Sequence, residues 1–396
     1  MTPVELSRTV LRAVRRAVDD GELRVEVPER VLVSVPGPGG CGDYATNIAL
    51  QLARPAGQPP LQVAEILRAR LAGSDGVRDV VVTGPGFLNI SLSDTAPTAL
   101  VAEILRRGPR YGFVDGPTGQ LVQLHCSHEV RAVVVMDAVG RLLRSQGAYV
   151  RTSCEAQPRA EWETVLGVHV DAHGRPGAPA PLDVGVRPVP APADPLPLGR
   201  DAARWALLHP AAHDRPRITD DHLVQRESNP LFRVRYAHAR TRALLRNAAD
   251  LGFAPEPGPA VVEEGDRERT SASQRSDRSH QSHQSHRSYG SRQSYGSRQS
   301  YGPHQSPHHQ SPHLLTSLAD HPRVLAQAAA HRTPDRLARH LVTVADAVMP
   351  LLPTVLPRGA QKPSAAHRAR LALAEAAGTV LAGGLSLLGI DAPDHL

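Results

Sequence analysis

Residues 121–154 read LVQLHCSHEVRAVVVMDAVGRLLRSQGAYVRTSC. LVQLH is a short apolar run with the length of a strand. VRAVVVMDAVGRLLRSQG has the length and apolar spacing of a helix, and AYVRTSC is a second strand. Strand, helix and strand in that order make one βαβ unit of a parallel sheet. The centre of the chain is therefore α/β, a reduced Rossmann-like remnant within residues 96–228.

Toward the N-terminus, residues 1–95 alternate helix and strand signals and read as a compact α+β module. A helix is expected from Pro3 to about Asp19, with Val4, Leu11, Val14 and Val18 on one face. RVEV and RVLVSV are strand-like. GDYATNIALQLA (42–53) reads as a helix with Gly42 or Asp43 near its N-cap. PLQVAEILRARLAG is a second helix, and DVVVTGPGFLNISL is strand, turn, strand. TAPTALVAEILRRGPRYG connects the module to the βαβ unit by a helix.

Toward the C-terminus, a proline-dense loop covers 175–199. Proline supplies no N–H and breaks helices, so this is expected as an extended or covering segment. GRDAARWALLH and the region after Thr219 return to helix. Residues 229–396 read as a helical bundle interrupted at 255–313 by a low-complexity insert containing SHQSHQSHRS and SYGSRQSYGSRQSYGPHQS. Ser, His, Gln, Gly and Arg cannot build a core, so disorder is expected there. The fold class is thus multidomain, α/β together with all-α.

Composition narrows the function. At 396 residues, with 41% hydrophobic residues and 3% aromatics, the chain can bury a core of Leu, Val and Ala. No apolar run is long enough for a transmembrane helix, and the charged N-terminus is not a signal peptide. Cys41, Cys126 and Cys154 have no metal-ligand or CxxC spacing, as expected of reduced thiols in a cytoplasm. Residues 1–228 hold 25 Arg against 26 Asp and Glu, whereas 229–396 hold 20 Lys and Arg against 13. The excess in the second part favours a polyanionic partner.

Three motifs invite chemistry and do not carry it. GPGGCG (37–42) satisfies the dinucleotide G-x-G-x-x-G, but Asp43 would stand where pyrophosphate sits. HPAAHD places His209 and His213 four apart, but Pro210 interrupts the helix and a third metal ligand is missing. Ser, His and Asp occur without a G-x-S-x-G. No metal site is expected.

The stretch NPLFRVRYAHARTRALLRNAADLG (229–252) is helical. At 100° per residue, Val234, Ala237, Leu244, Leu245, Ala248 and Leu251 share a core-facing sector. Phe232, Tyr236, Ala239 and Ala243 form a softer apolar strip. Arg235, Arg242 and Arg246 align on a third sector, which is either a solvated face or a phosphate-contacting one.

GDYATNIALQLA with GPGFLNISL (84–92) resembles the N-terminal tRNA-binding module of arginyl-tRNA synthetases. NPLFRVRYAHAR (229–240) resembles the opening of their anticodon-binding domain, called DALR. HRTPDRLARHLVTVADAV (331–348) and RARLALAEAAGTVLAGGLSLLGIDAP (368–393) resemble its remainder. The resemblance covers about 25–93 and 200–396 without the insert. It implies that Phe87 stacks a splayed base and Asn89 reads a base edge, and it makes Arg235, Tyr236, Arg242 and Arg246 tRNA-contact candidates. The alternative for the first pair is that Phe87 is core and Asn89 steadies its turn.

The middle departs from that family, which activates arginine with ATP. There, a strand leads into a loop with S-x-N and H-x-G-H that holds the triphosphate. Here LVQLHCSH runs directly into the helix, and only His128 stands for the last signature histidine. Where the family's second, K-M-S-K-type loop falls, VGVRPVPAPADPLPL offers Arg187 and no lysine. The stabilising charges that adenylate formation needs are missing from both places. The reading is a cytoplasmic tRNA-binding relative of arginyl-tRNA synthetase without aminoacylation and without a cofactor. An active arginine–tRNA ligase, using ATP and arginine, is one alternative. A regulatory or assembly subunit binding protein partners is another.

Overall fold

The computed structural model describes residues 1–37, 40–93, 95–174, 184–259 and 311–396. The expected disorder of the insert falls almost wholly outside these residues, as do part of the 175–199 loop and the middle of GPGGCG.

Helix α1, Pro3–Asp19, opens on a capping box. The Thr2 hydroxyl accepts from Glu5 N–H, and the Glu5 carboxylate accepts from Thr2 N–H. Its core stripe is Leu6, Val10, Ala13, Val14 and Ala17. Val4, Leu11 and Val18 are only half-buried, so the buried face is rotated from the expected one. Helices α2 (Ile48–Ala56) and α3 (Pro60–Leu71) join α1 over an antiparallel sheet ordered β1-β3-β2. The strands are β1 (Tyr44–Thr46), β2 (Val77–Thr83) and β3 (Phe87–Leu92). Leu6, Ile48, Leu67, Leu88 and Ile90 sit in a core confined to this module.

Two local expectations fail here. Residues 44–46 form an edge strand, and the helix starts only at Ile48. Tyr44 pairs with Ile90, and Asp43 accepts from Leu92 N–H at 2.7 Å, so it staples β3 and caps no helix. RVEV and RVLVSV do not form strands. Only Ser34 bridges, to Ala45, because no neighbouring edge runs beside the rest of the segment.

After α4 (Ala96–Arg107), the expected βαβ unit appears as β4 (Leu121–Cys126), α5 (Val130–Ser145) and β5 (Tyr149–Cys154). α6 (Ala160–Thr164) and β6 (Ala172–His173) follow, and β7 (Val184–Val186) completes a parallel sheet ordered β6-β5-β4-β7. β7 comes from the proline-rich stretch. It lies at the sheet edge and stops before Pro188, as missing N–H donors require.

α5 is buried on nearly every side. The sheet covers one face, and the C-terminal helices cover the other. These are α7 (Gly199–Leu208), α9 (Ser311–His331), α10 (Pro334–Val348) and α11 (Ala365–Leu387), while α8 (Pro230–Asp250) packs on α10 and α11. The region between α7 and α8 holds only a short 3-10 turn at Asp220–Leu223, less helix than expected. Leu251 lies beyond the end of α8 and is 53% exposed, so it does not join the core stripe. His238 and Thr241 are buried instead. Thr241 sits where α11 approaches, against Gly378, where an added Cβ would collide with its hydroxyl.

One apolar core runs from the parallel sheet through the bundle, from Val122 and Leu142 to Leu341 and Leu385. Arg204 ties the parts together. It donates to Leu166 O at 2.9 Å, Leu388 O at 2.7 Å and the Asp137 carboxylate at 2.5 Å. In α9, Pro322 cannot donate to Leu318 O, and the Tyr111 hydroxyl supplies that bond at 3.2 Å.

Candidate nucleic-acid interface

The β2–β3 turn uses Gly84 (φ 54°) and Gly86 (φ 136°), conformations that L side chains rarely adopt. A Cβ on Gly86 would also stand 3.0 Å from Pro60 O, so the turn rests on the start of α3. Phe87 follows at once, with 42% of its surface exposed. Alternation sends Leu88 and Ile90 into the core and puts Phe87 and Asn89 on the other face.

Asn89, two residues on, is 2% exposed. Its Oδ1 accepts from Cys41 N–H at 3.3 Å, and its Nδ2 donates to Thr83 Oγ1 at 2.6 Å and to Val81 O at 3.4 Å. Its amide thus fastens the glycine loop to the hairpin and supports the strand that presents Phe87. The glycine loop leads into β1 rather than a helix, so it lacks the strand–loop–helix geometry of a dinucleotide site.

The arginine stripe of α8 faces the chain's own residues. Arg235 pairs with Asp201 of α7 at 3.4 Å. Arg242 pairs with Asp394 at 3.0 Å, which holds that carboxyl below the usual range. Arg246 donates to Asp394 O at 3.4 Å. Asp201 also accepts from Asp391 N–H, and His238 Nδ1 meets Pro393 O at 3.0 Å. Tyr236 stacks on Phe232 with ring centroids 5.4 Å apart. Residues 391–395 therefore lie along this face, and an RNA phosphate reaching Arg242 would compete with Asp394.

At the head of the parallel sheet, His128 is exposed. It lies 2.9 Å from Gln157 O and against the Trp162 ring. Glu129 caps α5: its carboxylate accepts from Ala132 N–H at 2.9 Å and from Ala191 N–H at 3.0 Å. Arg131 is fully buried and donates to five main-chain carbonyls, those of Val189, Leu207, Pro210, Ala211 and Asp214. The proline-rich loop is thereby pinned over the start of α5, with a carboxylate at the helix N-terminus. Glu129 escaped the sequence reading, although an acidic residue just before an apolar helix is an N-cap signal.

His209 stacks on Trp205, while His213 is exposed beside Asp214. Among the described residues no group of three or more His, Cys, Asp or Glu is placed to hold a metal. No described helix is long and apolar enough to cross a membrane.

Comparison with known proteins agrees with this architecture. The family profile described as "Arginyl tRNA synthetase N terminal domain" matches residues 5–92, and "DALR anticodon binding domain" matches 289–396. The second match begins C-terminal to α8, which packs into the same bundle. The arginine–tRNA ligase of Renibacterium salmoninarum is 44% identical over 164 residues, 38% of this chain and 30% of that protein. That of Frankia alni is 39% identical over 157 residues, 37% of this chain and 28% of that one. The chain thus spans about 30% of the length of these curated relatives. Thermus thermophilus arginyl-tRNA synthetase superposes with a TM-score of 0.61 at 15% identity, covering 100% of both chains. The Plasmodium falciparum enzyme gives 0.60 at 8% identity, covering 100% of this chain and 99% of that one.

The fold resembles that of these synthetases, and the two profile matches mark a domain of the arginyl-tRNA synthetase N-terminal type and one of the DALR type. In these two parts the chain is arginyl-tRNA synthetase-like, and they lie on either side of a small parallel-sheet segment.

Proposed function

We propose that this chain binds tRNA through its two outer modules. The observation that carries this reading is Phe87, an exposed ring held at a glycine turn on a buried, internally bonded strand. A rigidly presented ring is suited to stacking an unpaired base, and the DALR bundle supplies a second site. Phe87→Ala is expected to weaken tRNA binding by about 5- to 150-fold, the worth of one stacked base, roughly 1–3 kcal/mol. The thermal midpoint should stay unchanged, because the ring is half in solvent. Filter binding with unfractionated tRNA and a melting curve measure both. Equal affinity for the two proteins would remove Phe87 from the site.

Ligation is a separate step, with support on each side. The relatives named arginine–tRNA ligase favour a chain that also joins arginine to tRNA, and the comparisons back this reading. The geometry at α5 favours binding alone. Glu129 already occupies the helix N-terminus where an incoming phosphate gains most, and a carboxylate there repels it. Arginine-dependent exchange of pyrophosphate into ATP separates the two readings. Exchange above background establishes arginine activation, the first step of ligation, and labelled arginine carried onto tRNA establishes the second; absence of both at high protein concentration, with tRNA present, leaves binding.

A further inference from the structure

Helix α1 carries Arg8, Arg12, Arg15 and Arg16, all exposed. At 100° per residue they fall within a sector about 100° wide, along roughly 12 Å of helix. Among the described residues, Arg12 donates only to the Thr9 hydroxyl at 3.0 Å, and none of the four has a carboxylate in ion-pair distance. The α8 stripe differs, since its arginines are engaged within the chain. Like charges one turn apart slightly destabilise a helix unless an anion offsets them, and here no described residue supplies one.

The row borders an open groove of about 890 Å³ between α1 and the turn at 73–76. Glu5 lies in it, with its carboxylate bound to Thr2 N–H. Arg70, at its far side, is neutralised by Asp20 and Glu22. Asp75 lies at the rim, so the groove keeps a positive excess. The opposite face of α1 is sealed: Leu6, Val10 and Val14 are 0% exposed. The helix therefore has no apolar face to offer a membrane, and its partner must meet the charged side alone.

We infer that Arg8, Arg12, Arg15 and Arg16 form a second contact, to the RNA sugar–phosphate backbone, on the same module as Phe87. This rests on the tRNA-binding reading. The groove adjoins Gly76, just before β2, whereas Phe87 lies past the other end of that strand. Seven strand residues set the two about 20 Å apart. A stacked base and a backbone contact on one rigid module anchor one RNA at two points.

The test compares the full chain with an Arg8→Gln, Arg12→Gln, Arg15→Gln variant, binding unfractionated tRNA from 50 to 300 mM salt. The expected variant shows a log K against log salt slope shallower by about two to three, and affinity about tenfold or more weaker at low salt. An Arg8→Lys, Arg12→Lys, Arg15→Lys variant, which keeps the charge, should hold the wild-type slope. Circular dichroism checks that both fold. If the Gln variant keeps affinity and slope while Phe87→Ala loses binding, the α1 row is only a solvated face and the inference is overturned, with tRNA binding intact. If the wild-type chain fails to bind tRNA at 50 mM salt, both fall.

Discussion

Asp137→Ala is expected to remove about 3–5 kcal/mol of stability, because it strands a buried guanidinium. Arg204 is 0% exposed, and Asp137 is the carboxylate paired with it there, at 2.5 Å. Burial pushes the Arg204 pKa down and the Asp137 charge pulls it back up. The bonds to Leu166 O and Leu388 O satisfy donors but do not cancel a charge. Asp137→Asn keeps an acceptor and should recover only part of the loss, again because the charge stays uncompensated. Urea unfolding measures both variants. A loss under 1 kcal/mol for Asp137→Ala would mean that water reaches and relaxes the site, since Arg141, bonded to the same carboxylate, is a second cation that opposes the Arg204 charge.

A second large effect is acid lability. His321 and His340 stack with centroids 5.2 Å apart, and His321 stacks on Tyr111 at 5.9 Å. Nδ1 of His321 and Nε2 of His340 are buried without a hydrogen-bond partner among the described residues. Burial lowers both pKa values from 6.5, that of His340 to about 4. For His340, Asp320 works against the shift and Arg323 with it. The folded state thus holds the ring neutral where the unfolded chain takes up a proton. Stability is full above pH 6.5 and falls as pH drops toward about 4, by about 3 kcal/mol from His340 alone. His340→Phe removes the proton-binding group and keeps a ring in the stack. Its stability should depend less on pH between 6.5 and 4. An unchanged pH profile would show that the ring is solvated.

What sequence reading recovered is what local pattern encodes. The βαβ unit, the β2–β3 hairpin and the extent of α1 follow from periodicity and glycine placement. The errors sit where a distant partner decides. Residues 44–46 become a strand only because β3 offers an edge 42 to 46 residues later. RVLVSV alternates like a strand yet meets a neighbouring edge only at the Ser34–Ala45 bridge. A helical wheel aligned Arg235, Arg242 and Arg246 correctly but could not know that Asp201 and Asp394 would meet them. The hydrophobic wheel likewise could not foresee that His238 bonds Pro393 O and is buried. Charge counted by halves hid the α1 row, because Asp and Glu elsewhere in 1–228 cancel it arithmetically while lying too far away to pair with it.

The continuous core has a mechanical meaning. The parallel sheet and the helical bundle bury their apolar surface against each other, so neither can swing without breaking the packing of α5. The N-terminal module keeps its own interior and meets the rest mainly through α1 and α9. Relative motion is therefore available at one seam, near Ala96. A long RNA held at both ends would be accommodated by tilting the small module against the larger, continuously packed remainder of the molecule.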